Sequence, residues 1–135
     1  MNIDAVYADH VAKARRLPDI APEPLLVWRV AGHIISVHRA AGSAELWLFS
    51  SDRSGSVRGP MDARSALMML GTDTWLVGGV ERPGTWIHVI EPQGSDCVAG
   101  PGFWLCAVPV GVLRVKALIT APDGDEIVEI DVPSI

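Results

Sequence analysis

The sequence predicts a mainly β protein: an antiparallel β-sandwich or flattened barrel of about eight to nine strands, with an N-terminal amphipathic helix and a short helix near 61–70. Three observations support this prediction. Short runs of β-branched, aromatic and other apolar residues follow one another along most of the chain. The segments between these runs are rich in Gly and Pro, which favour tight turns. The segments are also too short for crossover helices, so neighbouring strands should pair in antiparallel fashion.

The composition narrows the class of protein. With 135 residues the chain has the length of one domain, and we expect residues 1–135 to form a single one. Apolar residues make up 49% of the chain. With glycine counted the share is about 59%, against roughly 45–50% in a typical soluble domain, which excludes intrinsic disorder. The formal net charge of −5 provides no broad basic surface for nucleic acid.

No membrane segment is expected. The longest charge-free run, Cys97–Leu113, contains Gly100-Pro101-Gly102 and Pro109, which would break a spanning helix. The first residues include Asp4 and Asp9, where a signal peptide would need an apolar core. We therefore expect a cytoplasmic protein. Its two cysteines can neither form a disulfide scaffold nor supply a four-cysteine metal site.

The N-terminal segment 1–17 is expected to be helical, with an amphipathic pattern over residues 3–17. Acidic residues come early and basic residues late, which suits the helix dipole, and Pro18 ends the element. Because its apolar stripe is short and one-sided, the helix should pack on the body of the protein or on a second copy. A Pro-rich connector, 18–24, follows. The stripe consists of Ile3, Val6, Tyr7, His10, Val11, Ala14 and Leu17.

From residue 25 the pattern changes to short β-type runs, and we expect 25–135 to form the sandwich. Leu25–Val30 and Ile34–Arg39 flank Ala31-Gly32-His33, which predicts a tight hairpin. Glu45–Phe49 forms the next strand. These runs alternate with turn residues at the spacing of a meander.

Two segments break this series. Residues 50–60 are polar and rich in Gly and Ser, so they are expected to form an exposed loop. Residues 61–70 are the second helix candidate, because Asp62 lies near the start and Gly71 follows the end.

The second half predicts a regular succession of strands with a turn signal between each pair. The separators all carry Pro and Gly together, as in Pro101-Gly102 and Pro122-Asp123-Gly124. The predicted strands are Thr74–Val80, Thr85–Glu91, Asp96–Ala99, Phe103–Val108, Val112–Thr120 and Glu126–Val132.

The strands differ in how they distribute apolar residues between their two faces. Val112–Thr120 and Glu126–Val132 alternate, so each should expose one face and pair basic against acidic residues there. Leu46–Phe49 and Phe103–Val108 are apolar on both faces. These two strands must be buried on both sides or covered by a helix or another subunit.

The two cysteines are a candidate redox pair. If Pro101-Gly102 is a two-residue turn, counting outward places Cys97 opposite Cys106 in a non-hydrogen-bonded pair. Such a pair is close enough for a cross-strand disulfide or a redox switch. The alternative is two small, buried, reduced cysteines, of which neither has a neighbouring cation to activate it.

No metal, cofactor or catalytic motif emerges. His33 and His38 lie an odd number of residues apart, so they should point to opposite faces of a strand and not form a metal pair. The segment Asp123-Gly124-Asp125-Glu126 imitates the start of a calcium loop but is better explained as a hairpin turn. Known nucleophile and phosphate-loop motifs are absent from the sequence. We therefore lean towards a non-enzymatic protein.

The candidate binding residues are aromatic and basic. Each of the five tryptophans lies in a predicted strand, and most should belong to the core. Some of them are expected on an exposed apolar sheet face that binds a partner. Arg53 and Arg58 lie in the predicted loop, which could hold an anion or a partner protein, or simply be solvated. The candidate partner- or ligand-binding residues are Trp47, Arg53, Arg58, Trp86, His88 and Trp104.

The order of features from 75 to 132 resembles β-sandwich modules common among uncharacterised actinobacterial proteins. The likeness lies in Leu76-Val77-Gly78-Gly79-Val80 with Pro83-Gly84, in the segment GFWLCAVP at 102–109, and in LRVKALITAPDGDEI at 113–127. The resemblance implies an immunoglobulin-like fold, often placed after a regulatory domain, with no assigned catalytic residues. The N-terminal helix departs from that pattern.

Together these patterns predict a non-enzymatic binding or accessory protein that acts through an apolar, Trp-bearing sheet face. An immunity or regulatory role towards a protein partner would suit it, and a homodimer is expected. The alternative is a small β-barrel that binds or transforms an apolar ligand in its interior. Neither nucleic acid nor a membrane is an expected partner, and no cofactor is expected.

Overall fold

Strands account for most of the structure. The structure is a computed structural model. It describes residues 3–17, 19–40, 46–52, 55–61, 64–82, 84–100 and 102–133, with only the main chain of residues 3, 52 and 55–60. These ranges hold one helix and eleven strands in three antiparallel sheets. Contacts divide the chain into two compact units, Met1–Asp62 (unit 1) and Ala63–Ile135 (unit 2). The expectation of one domain stays a prediction.

Unit 1 is a helix followed by a four-stranded antiparallel meander in the order β1-β2-β3-β4. Each strand pairs with the next along the chain, which requires only short connections. The elements are α1 (Ile3–Arg15), β1 (Leu26–Val30), β2 (His33–Arg39), β3 (Leu46–Asp52) and β4 (Gly55–Met61).

The predicted helix is confirmed, although it ends at Arg15 rather than at residue 17. Its stripe faces the meander: His10, Val11 and Ala14 are buried. Ala14 belongs to a small apolar cluster that also contains Phe49 of β3. The amphipathic pattern therefore identified the packed side of the helix.

The predicted hairpin between β1 and β2 is also confirmed. Val30 pairs with His33, which leaves a two-residue turn. Ala31 and Gly32 have φ angles of 50° and 75°. Positive φ at both central residues defines the turn whose twist matches a β-hairpin, and Gly adopts it without strain.

The prediction of an exposed loop over 50–60 is wrong. Ser50–Asp52 complete β3, and Gly55–Pro60 lie in β4, which pairs with β3 along its whole length. Ser50 and Ser51 are buried. Small polar residues have a low strand propensity, but pairing and burial outweigh propensity in a sheet.

Unit 2 consists of two antiparallel sheets with the strand orders β5-β6-β9-β8 and β11-β10-β7. Their strands are β5 (Ser65–Leu70), β6 (Thr74–Val80), β7 (Trp86–Glu91), β8 (Asp96–Gly100), β9 (Phe103–Pro109), β10 (Arg114–Ala121) and β11 (Gly124–Asp131). The strands predicted for the second half are all present, with ends that differ by one or two residues.

The helix predicted near 61–70 is wrong, because Met61 ends β4 and Ser65–Leu70 form β5. The run Ala-Leu-Met-Met-Leu has good helix formers, and a short apolar run does not distinguish a helix from a buried strand. Pairing with β6 decides the outcome, with an irregularity between Ala66 and Met68. Because β4 and β5 are both unexpected, the described strands number eleven, against the eight to nine predicted.

One apolar core is shared by side chains from both sheets of unit 2. Val77, Trp104 and Cys106 of one sheet belong to the same buried cluster as Val115 and Ile130 of the other. The described strands form open sheets, without the closed pairing of a barrel. The strand β9 is almost wholly buried on both faces, as predicted from its apolar sequence.

Candidate functional site

The predicted site residues are distributed over several surfaces. Arg53 lies outside the described residues, as does the side chain of Arg58, whose main chain pairs with Phe49. Trp47 is half-buried in unit 1 beside Phe49. Trp104 is only 1% exposed.

Trp86 and His88 are brought together on the three-stranded sheet of unit 2. In its register, His88 pairs with Leu118, and Leu118 pairs with Ile127 on the far strand. Trp86 pairs with Thr120, one step along the same face. We call this surface the outer sheet face.

Alternation along the strands makes this face the outward one. The intervening side chains, Ile87 and Val89 of β7 together with Ala117, Ile119 and Val128, pack in the core. Trp86 is 78% exposed and Ile127 is 59% exposed. A tryptophan this exposed is unusual, because the side chain is large and apolar and is normally buried.

Charged residues of both signs continue the outer sheet face along β10 and β11. Lys116 pairs in register with Glu129. Arg114 forms ion pairs with Glu129 at 3.5 Å and with Asp131 at 3.4 Å. The hairpin predicted to pair basic against acidic residues is thus confirmed. The face therefore combines an apolar part with a charged part of both signs.

The two cysteines lie opposite each other, as counting from the turn predicted. Gly100 pairs with Phe103 and Cys97 pairs with Cys106. Their Sγ atoms are 2.9 Å apart and both thiols are free. The hydrogen bond between the two thiols lowers the pKa of Cys97, although burial opposes this effect. The same hydrogen bond and burial raise the pKa of Cys106 far above its usual range.

A partly buried ion cluster lies beside Trp104. The guanidinium of Arg64 donates two hydrogen bonds to Glu81, at 2.8 and 2.7 Å, and two longer ones to Glu126. The indole N–H of Trp104 donates to Glu81 at 3.0 Å. Burial alone would raise the pKa of Glu81, but the hydrogen bonds from Arg64 and Trp104 outweigh burial and lower it. Arg64 thus joins the carboxylates of Glu81, after β6, and Glu126, on β11.

A second polar cluster lies inside unit 1. The Nδ1 atom of His10 is 2.6 Å from the Ser36 hydroxyl, and its Nε2 atom is 2.5 Å from the Ser51 hydroxyl. A neutral imidazole donates through one nitrogen and accepts through the other, so both serines are satisfied. Burial, with smaller effects from neighbouring charges, lowers the pKa of His10 to about 4.

Neither polar cluster was predicted as a site. His10 stood out only as a polar member of an otherwise apolar helical stripe, which was the available signal for a buried hydrogen-bonded histidine. Ser36 lies on β2 and Ser51 on the next strand, β3, and no sequence spacing places either of them beside His10 of the helix. In the same way, Arg64 and Glu81 flank two different strands. Such clusters depend on register, which is set by tertiary pairing.

A surface groove of about 500 Å³ lies between Arg64–Ala66 and Glu126–Asp131 in unit 2. Its lining carries Arg64 at one end and three carboxylates, of which Glu126 already pairs with Arg64. A charged, open groove does not suit an apolar ligand, because such ligands need largely apolar, enclosed walls. The alternative of an apolar ligand in the interior stays a prediction.

Within the described ranges, no group of three or more His, Cys, Asp or Glu side chains is arranged to hold a metal ion. Nor does any helix there have the length and apolar character needed to cross a membrane. No protein-family model, curated protein or solved structure matches this chain.

Proposed function

We propose that unit 2 is an immunoglobulin-like β-sandwich. With its strands lettered A to G in chain order, β5 to β11, the two observed sheets read A-B-E-D and C-F-G. This is the strand order of the constant-type immunoglobulin fold. The core that the two sheets share supports the same proposal.

We propose that the protein is a non-enzymatic interaction module, and that its outer sheet face binds a second copy of the chain. The observation that carries this proposal is the 78% exposure of Trp86 on the same sheet face as Ile127, which is 59% exposed. Aromatic side chains of this kind dominate the binding energy of protein interfaces once they are covered.

The charges on the face favour a second copy as the occupant. Arg114 and Lys116 supply positive charge, while Glu129 and Asp131 supply negative charge on the adjacent strand. A two-fold dimer requires one patch to complement itself. A face with both signs can do so, whereas a face of one sign would repel its copy.

The dimensions of the face predict weak association. Its strands are spaced about 4.8 Å apart and rise about 3.4 Å per residue, so three strands of this length cover a flat area of roughly 400 Å². Stable complexes bury about 800 Å² on each partner. We therefore expect a dimer with a dissociation constant in the micromolar range or above.

The polar clusters support a binding role rather than catalysis. His10, Ser36 and Ser51 are each at most 6% exposed, so a substrate cannot reach the imidazole. Glu81 is held by Arg64 and Trp104. Both clusters satisfy polar groups inside the fold, which is a structural role.

Sedimentation velocity over a wide range of protein concentration tests the proposal. The wild type should shift from monomer to dimer, and Trp86→Ser and Ile127→Lys should each abolish the shift. Leu113→Lys is the matched control, because Leu113 is 68% exposed but lies outside β10 and the outer sheet face. A wild-type monomer at all concentrations would exclude self-association. Equal loss in the Leu113 variant would exclude the outer sheet face as the interface.

A further inference from the structure

The thiols of Cys97 and Cys106 face each other in unit 2, but the two residues differ in their exposure to solvent. Their strands pair directly, and their Sγ atoms are 2.9 Å apart. We propose that this pair is a thiol–disulfide exchange site, which reacts with low-molecular-weight disulfides to form a reversible cross-strand disulfide. Both cysteines lie on the sheet opposite to Trp86, so this proposal does not depend on self-association.

The exposure of the two cysteines assigns their roles. Cys97 lies on β8, an edge strand of its sheet, and is exposed. Cys106 lies on the neighbouring β9 and is 0% exposed within the core. A dissolved disulfide can therefore reach the sulfur of Cys97 but not that of Cys106. Cys97 is the attacking thiol, and Cys106 is the resolving thiol.

The acid–base properties of the pair agree with these roles. The hydrogen bond from the Cys106 thiol stabilises the Cys97 thiolate and lowers the pKa of Cys97. The thiolate is the form that attacks a disulfide. Cys106 keeps its proton until the mixed disulfide has formed, because the hydrogen bond and burial raise its pKa.

The exchange proceeds in two balanced steps. The Cys97 thiolate attacks one sulfur of the small disulfide, so its Sγ bonds to that sulfur and the other half leaves as a thiolate. Cys106 then loses its proton to the departing thiolate or to water and attacks the Sγ of Cys97, which releases the second half. Overall, two cysteine thiols and one small disulfide become one protein disulfide and two small thiols.

The exposure of Cys97 accounts for the reversibility. Cys97 lies on an edge strand and is exposed. Exposed disulfides are among the more easily reduced ones. The disulfide should therefore open when a small thiol is in excess.

Exchange with glutathione disulfide tests the proposal. The native protein is incubated with an excess of glutathione disulfide, and the reaction is quenched in acid. The protein is then unfolded and alkylated, and its mass is measured by mass spectrometry. The wild type should lose two hydrogen atoms, alkylate at neither cysteine and recover both thiols after dithiothreitol. Two free thiols in the native protein, or a stable glutathione adduct, would refute the exchange site. So would an intermolecular disulfide on a non-reducing gel.

Single variants separate the two roles. Cys106→Ser should accumulate one glutathione adduct on Cys97, because no resolving thiol is present. Cys97→Ser should stay unmodified while folded and should react once urea unfolds it. If Cys106→Ser fails to fold by circular dichroism, Cys106→Ala replaces it. Rapid modification of folded Cys97→Ser would overturn the assignment of the attacking thiol.

Discussion

Acidification should destabilise unit 1 through His10. Burial lowers the pKa of His10 from 6.5 to about 4, so the folded protein keeps a neutral ring where an unfolded chain would bind a proton. Between these values the unfolded state binds more protons, and stability falls as pH falls. The contribution is fully present above about pH 6.5, the pKa of the unfolded chain, and is lost as pH falls towards the folded value.

The magnitude follows from the difference in pKa. Each unit corresponds to about 1.4 kcal/mol, so a shift to about 4 predicts a loss of about 3 kcal/mol. This is a large share of the 5–15 kcal/mol that stabilises a typical domain. The side chain is 0% exposed, so solvent screening reduces the effect little.

Urea denaturation followed by tryptophan fluorescence, at intervals between about pH 7.5 and pH 4, measures this loss. His10→Gln keeps a donor and an acceptor but cannot take up a proton. Its unfolding free energy should therefore fall much less than that of the wild type between about pH 6.5 and pH 5, where only the wild type has His10 to protonate. His88→Gln, measured at a concentration at which the protein is monomeric, is the matched control, because it replaces an exposed histidine of unit 2 and leaves the His10 cluster intact. Parallel curves for the wild type and His10→Gln would refute the reasoning.

Two further substitutions test the interior of unit 2. A Cβ atom at Gly78 would meet the main-chain oxygen of Trp104 and lie 2.8 Å from the side chain of Leu105. Gly78→Ala should therefore destabilise the protein by about 3 kcal/mol in urea denaturation. A loss below about 0.5 kcal/mol would contradict this packing. Arg64→Met removes the cation from Glu81, whose side chain is 8% exposed, and should cost about 2–3 kcal/mol in the same assay. Arg82→Met, at an ion pair whose side chains are both more than 60% exposed, is its control and should change little.

Turn chemistry explains why most of the strands could be predicted. Gly and Pro separate the runs of the second half, and a two-residue turn determines the register of the strands around it. That is why counting from Pro101-Gly102 was sufficient to pair Cys97 with Cys106. The same reasoning placed the hairpin at Ala31 and Gly32.

The segments that were predicted wrongly lack this local information. In 50–60 the small polar residues favour a loop by themselves, and only pairing with β3 makes Gly55–Met61 a strand. Residues 65–70 are good helix formers, and only pairing with β6 makes them β5. In both cases a non-local contact overrides the local preference, and a single sequence does not reveal it.

The candidate site was predictable only in part, because a strand pattern identifies two faces without saying which one is covered. Trp86 and Trp104 both lie in apolar strands, yet one is 78% exposed and the other 1%. The difference comes from the face on which each side chain lies: Trp104 belongs to the core that the two sheets share, whereas Trp86 alternates with the core residues Ile87 and Val89 and points outward. The sequence therefore proposed both tryptophans as binding residues, and only the structure distinguishes the exposed one from the buried one.

This distinction also locates the apolar excess of the chain. The strands β2 and β9 are buried over nearly all their residues, on both faces, so the apolar side chains of both strands are covered within the fold. The outer sheet face is different, since β10 and β11 alternate and present Lys116, Glu129 and other polar side chains outward. On such a face, Trp86 is not explained by the core of its own unit. Covering it with a second copy would remove a large apolar surface from water, which is the physical reason to expect association there.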